Sequence, residues 1–156
     1  MSARRKNKVL ETDIVKLCHR LELLTYTLID KWKKQYRYNL IESFRRHVEN
    51  LRESTICGLR HDKNDKVQKL AYYNLSLCSL DNIEYLLELM VSNNFQIISN
   101  KEYANFAIII DDIGIMVDRL IHSLNKSVSK NENFNDTDKV KVAEFQSYDN
   151  ESGLII

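Results

Sequence analysis

Apolar residues recur along this chain in alternating steps of three and four, the spacing that lines one face of an α-helix. The first run predicts a helix over about 12–34. Ile14, Leu17, Leu21, Leu24 and Leu28 form its seam, Trp32 extends it, and Lys31, Lys33 and Lys34 close it where cations suit the negative helix end. A second helix is expected over about 38–60, with Ile41, Phe44, Val48, Leu51 and Thr55 on one seam and Arg45, Arg46, Arg52 and Arg60 on the other face. Gly58 and the polar run 61–65 mark its end.

The third pattern, about 65–92, is apolar around much of its circumference. Leu70, Tyr73, Leu77, Leu80 and Leu87 lie near one face, and Leu75, Ile83, Leu86 and Met90 spread onto others, until Asn93 and Asn94 break the run. The fourth helix opens with Ser99-Asn100-Lys101-Glu102, a capping box in which Ser99 and Glu102 each satisfy an otherwise unpaired backbone N–H. Its seam is Phe106, Ile110, Ile113, Val117, Leu120 and Leu124, with Ile108, Ile109, Ile115, Met116 and Ile121 beside or opposite it. One helix cannot bury both sets in a single core. Leu86 and Met90 on helix three and Ile108, Ile109, Ile115 and Met116 on helix four are therefore the expected oligomer interface.

Composition agrees with an all-α fold, an antiparallel up-down-up-down four-helix bundle. Among 156 residues there is no proline and only three glycines, Gly58, Gly114 and Gly153, too few turn residues for a strand-rich chain. The expected organisation is a basic arm over 1–11, the bundle over 12–128 and a polar, disordered tail over 129–156 that ends in Leu154-Ile155-Ile156. The basic start (Arg4, Arg5, Lys6, Lys8) is followed by no uninterrupted apolar segment, and no stretch approaches the ~18 residues of a membrane span. A reducing cytoplasm is the expected compartment, with Cys18, Cys57 and Cys78 as reduced, buried thiols.

Net charge is only +1, yet residues 1–70 carry 17 cations against 9 carboxylates, and residues 71–156 carry 6 against 13. The split points to partner surfaces or subunit pairing, or to antiparallel helices neutralising one another. Catalytic patterns are missing. Asp111 and Asp112 are adjacent and point about 100° apart on a helix, so they share a substrate poorly. His19, His47, His61 and His122 form no His-x-x-x-His or Glu-x-x-His pair of a metal site, and Glu49 with Glu53 lacks the E-x-x-H of a di-iron bundle. No enzyme activity and no cofactor are expected. Nucleic-acid binding has more behind it, because Lys31, Lys33, Lys34, Arg37, Arg45, Arg46, Arg52 and Arg60 interleave with Trp32, Tyr36 and Tyr38. Cations attract phosphates and aromatic rings stack on exposed bases, although Trp32 in the core and the cations as a solvated face fit the same residues.

Four features in this order carry a resemblance covering about residues 12–128. They are Lys31-Trp32-Lys33-Lys34 closing helix one, an Arg-rich second helix, a long apolar third helix, and a fourth in which Tyr103-Ala104-Asn105 leads through Ile110-Asp111-Asp112-Ile113-Gly114 into Val117-Asp118-Arg119-Leu120-Ile121. The chain resembles the bacterial four-helix proteins that include the large-ribosomal-RNA (23S) intervening-sequence proteins and the accessory variability determinant (Avd) of diversity-generating retroelements. That resemblance implies a ring-like homopentamer. In the retroelement branch, the ring binds the reverse transcriptase and template RNA and supports mutagenic copying into cDNA. It makes Lys33, Lys34, Arg37, Arg45, Arg46 and Arg52 the candidates for polymerase or RNA contact, with Gly114 allowing a close helix approach. Retroelement accessory proteins of this type tend to be strongly basic, and this chain is near neutral.

Overall fold

The computed structural model describes residues 8–130, all helix and connections without a strand among them. Most of the expected N-terminal arm and nearly all of the expected tail lie outside the described residues. Four long helices are present: α1 (Asp13–Ile29), α2 (Glu42–Arg60), α3 (Lys66–Val91) and α4 (Asn100–Lys130). The chain divides into two compact units, Met1–His122 and Ser123–Ile156; the described part of the second is the last turns of α4.

Helix α1 stops earlier than its sequence pattern. Lys31 N–H donates to the Leu28 carbonyl and Trp32 N–H to that of Ile29, tightening the chain into a turn. A 3-10 turn (Lys34–Tyr36) and a π turn (Arg37–Ile41) then run directly into α2. The buried face of α1 is also rotated from the leucine seam. Ile14, Val15, Cys18, Leu21 and Thr25 are buried, while Leu17, Leu24 and Leu28 are half-buried at its edge.

Small polar side chains explain the rotation. Ser54 Oγ and Thr55 Oγ1 of α2 lie 2.8 and 3.0 Å from Ser76 Oγ of α3, and Cys18 of α1 interacts with Thr55. Each hydroxyl is satisfied without water, so α1, α2 and α3 come together where a bulkier layer would hold them apart. Residue numbers run in opposite senses across both pairs. Tyr26 meets Glu49 and Glu22 meets Arg52 between α1 and α2; Ser54 meets Ser76 and Gly58 meets Lys69 between α2 and α3.

The tightest approach is at Gly58. A methyl group there would lie 2.6 Å from the Tyr73 ring, and Tyr73 is itself buried. The buried Lys69 Nζ donates to the Gly58 and Leu59 carbonyls at 2.7 and 3.4 Å, closing the end of α2 from the neighbouring helix. Gly114, expected to permit a close approach, does not: an added methyl would meet only Leu80 at 4.0 Å.

Helix α4 begins as its capping box predicts. Glu102 N–H donates to Ser99 Oγ at 3.1 Å, and Ser99 N–H donates to Glu102 Oε1 at 3.3 Å. The preceding turn is held by Ile97 and Ile98 N–H on the Met90 carbonyl, with Gln96 in the left-handed region at φ 49°. Phe106, Ile109, Ile110, Ile113 and Val117 bury α4 against the core. No helix among the described residues is long and apolar enough to cross a membrane.

Two outcomes follow from these contacts. Gly58→Ala lowers stability by about 1–3 kcal/mol through overpacking, whereas Gly114→Ala raises it by up to about 1 kcal/mol, read by paired thermal melts. Cys57 and Cys78 are exposed, but burial pushes the Cys18 thiol up to about 12. Thiol titration of the native protein at neutral pH therefore gives two rapid equivalents, and the third only on unfolding.

Candidate functional site

The basic end of the molecule is built on Trp32. Its indole is buried and packs against Phe44 and Phe106, with ring centroids 5.9 and 6.2 Å away. Nε1–H donates to Glu102 Oε2 at 3.3 Å. Glu102 thus caps α4 with one oxygen and anchors the α1–α2 connection with the other. Tyr36 packs edge-on against Phe95 at 5.4 Å, and Lys33 Nζ donates to the Phe95 carbonyl at 3.1 Å. The connection is pinned at several points, and its outward residues are held by the fold.

The six basic candidates separate into two groups. Arg45 is engaged within α2 by Glu42 and Glu49, the latter at 2.6 Å, and Glu49 also accepts the Tyr26 O–H at 2.6 Å. Arg52 Nε lies 2.7 Å from Glu22 Oε1, and Glu53 is 3.9 Å away. These two arginines complete a charged seam between α1 and α2. Burial raises the Glu22 carboxyl above its usual range, with Glu49 and Glu53 adding to the effect and Arg52 opposing it. The other four, Lys33, Lys34, Arg37 and Arg46, are exposed around the connection and the start of α2; Arg37 reaches Asp30 only loosely, at 3.8 Å.

A second surface lies along α1 and α4. One groove of about 580 Å³ is lined by Asp13, Lys16, Leu17, Arg20, Asp112, Ile115, Met116 and Arg119. A second, about 430 Å³, is lined by Arg20, Leu23, Leu24, Thr27, Asn105, Ile108 and Ile109; Arg20 belongs to both. Ile108, Leu23 and Ile115 are 64%, 52% and 51% exposed there, and Met116 is half-buried.

This corrects the expected interface set. Leu86 and Met90 are buried within the single chain, and Ile109, only 8% exposed, still contributes to the lining of the second groove. Helix α3 absorbs its apolar surplus because it packs in the core over a wide face, burying Tyr73, Leu80, Ile83, Leu86, Leu87 and Met90; only Leu75 and Tyr85 stay out among its larger apolar side chains besides Val67 at its start. Ile108, Ile115 and Met116 remain available. Leu17, Leu23 and Leu24 of α1 line the same grooves; Leu17 and Leu24 belong to the expected leucine seam, and Leu23 lies beside it.

For chemistry the arrangement offers little. Burial and the adjacent Arg46 push the His47 imidazole below its usual range. His61 lies 3.9 Å from Asp65 and packs on Tyr72. Among the described residues, no group of three or more His, Cys, Asp or Glu side chains is placed to hold a metal ion.

The charged seam separates two otherwise similar arginines. Arg45→Glu sets a third carboxylate beside Glu42 and Glu49 and lowers the melting temperature by roughly 2–4 °C. Arg46→Glu leaves it within about 1 °C; circular-dichroism melts distinguish the two. Compared with known proteins, the chain matches no family model and no curated protein.

Proposed function

We propose that the protein is a non-enzymatic oligomeric scaffold, an up-down-up-down four-helix bundle whose copies cover one another along α1 and α4. Its cationic end then faces outward for a guest. On this reading the guest is a reverse transcriptase with its template RNA, and the role is that of an accessory protein of a diversity-generating retroelement, supporting mutagenic cDNA synthesis. Five copies is the number that the resemblance to the accessory variability determinant implies.

The observation that carries the proposal is the apolar strip along the α1–α4 groove. Large aliphatic side chains scattered singly over a surface are ordinary, but Leu23, Ile108 and Ile115 line adjoining grooves with Leu17, Leu24 and Met116 between them. The charges on the rim are of both signs on each helix, with Asp13, Lys16 and Arg20 on α1 and Asp112 and Arg119 on α4. A second copy of the same chain offers both signs in return.

A second reading keeps the scaffold and drops the retroelement, as in an interaction protein of the intervening-sequence type. What favours it is the charged seam: Arg45 and Arg52 are consumed inside the molecule, which leaves a smaller cationic surface than the sequence advertises.

Sedimentation velocity on the full chain is expected to give an oligomer. Ile108→Lys combined with Ile115→Lys reduces it to a monomer of unchanged helical content. A monomeric wild-type protein overturns the scaffold. Co-purification with a reverse transcriptase encoded beside it separates the two readings: capture supports the first, and its failure leaves the second.

A further inference from the structure

Trp32, Tyr36 and Tyr38 fall within seven residues, and the fold uses them differently. Trp32 is enclosed by Phe44 and Phe106, and Tyr36 rests on Phe95. Tyr38 is 91% exposed, the most exposed large apolar side chain among the described residues. Its position follows from the π turn. In a regular α-helix, three residues span about 300°, so Tyr38 would point within about 60° of the buried Ile41. The wider i→i+5 turn over Arg37–Ile41 advances each residue by a smaller angle and carries Tyr38 away from the core face.

The surroundings of Tyr38 are strongly cationic. Residues 30–46 hold six cations (Lys31, Lys33, Lys34, Arg37, Arg45, Arg46) against two carboxylates (Asp30, Glu42), and Tyr38 is at the middle of this stretch. The rest of the chain holds 17 cations against 20 carboxylates. A net charge of +4 is thus concentrated in 17 residues of a protein that is otherwise slightly acidic. Lys34 and Arg46 are exposed and make no ion pair among the described residues.

We propose that Tyr38 is a stacking platform for an unpaired base of single-stranded RNA, with Lys34, Arg37 and Arg46 neutralising neighbouring phosphates. The proposal rests on the reading of this protein as an RNA-binding scaffold and names its contact. An exposed ring beside cations matches a strand that offers both a base face and phosphates. A duplex offers the same phosphates but keeps its base faces stacked on one another. The backbone that carries the ring is held beforehand, because Trp32 and Tyr36 fix the connection ahead of the π turn and the buried Ile41 ends it.

The test is fluorescence anisotropy of the full-length protein with a short labelled oligoadenylate and with an RNA hairpin duplex of matching length, each over a series of salt concentrations. Wild type is expected to bind the single strand more tightly than the duplex. Tyr38→Phe retains that affinity, and Tyr38→Ala weakens it about five-fold or more with an unchanged melt. Lys34→Glu with Arg46→Glu weakens both complexes and flattens the salt dependence. Wild-type affinity in Tyr38→Ala, with loss in the charge-reversed variant, overturns the platform and leaves RNA binding standing. Equal affinity for strand and duplex also overturns the platform. Absence of binding to either RNA by the wild type overturns the RNA part of the scaffold reading itself.

Discussion

One carboxylate determines the geometry of the cationic end. Glu102 accepts the Ser99 amide with one oxygen and the Trp32 indole N–H with the other, so the start of α4 and the α1–α2 connection are fixed to the same group. The indole is then held among Phe44 and Phe106, which pack edge-on to each other at 5.4 Å. Everything outward on that connection inherits its position from this arrangement. Lys33, Lys34, Arg37 and Tyr38 are surface residues on irregular backbone, a kind of segment that ordinarily moves. Here the backbone is closed by 3-10 and π turns and tied at Trp32 and Tyr36.

Local signals were legible in the sequence and long-range ones were not. The capping box at Ser99 and Glu102 needs only four consecutive residues, and it forms as read. The seam Ile41, Phe44, Val48 and Leu51 is buried as read, because α2 has one apolar stripe and no competing face. For α1 the stripe of leucines misled. Cys18 and Thr25 are small and take the centre, and Cys18 meets Thr55 of α2, a fact about the neighbour that no periodicity in α1 contains. The glycines reversed roles for the same reason: Gly58 looked like a helix terminator and serves as the close contact with Tyr73, while Gly114 touches almost nothing.

The candidate site was legible to a similar depth. Its composition was visible as cations interleaved with aromatics over 31–60, with Trp32 and the cations open to a structural reading as well. Which cations stay available depended on pairings across helices. Arg52 is answered by Glu22, thirty residues earlier in the chain, and Arg45 by Glu42 and Glu49 of its own helix, of which Glu49 also accepts the Tyr26 O–H of α1. The apolar excess was legible as a count and not as a location. Helix α3 proved able to bury its surplus in the single chain, which moved the unpartnered surface from α3 and α4 to α1 and α4.

On the proposed reading, the two surfaces depend on each other energetically. A patch of net +4 with one exposed ring makes few phosphate contacts, and non-specific nucleic-acid binding of that size is weak at physiological salt. Association of copies through α1 and α4 repeats the same patch around the assembly. Once one copy holds a strand, a second patch meets the next stretch of that strand at an effective concentration set by the spacing of copies, and avidity multiplies without any new contact. A near-neutral chain is then an advantage, since copies of a strongly basic protein repel one another as they assemble. The concentration of charge at one end, with mixed signs along the groove, would let the proposed scaffold both self-associate and attract a polyanion.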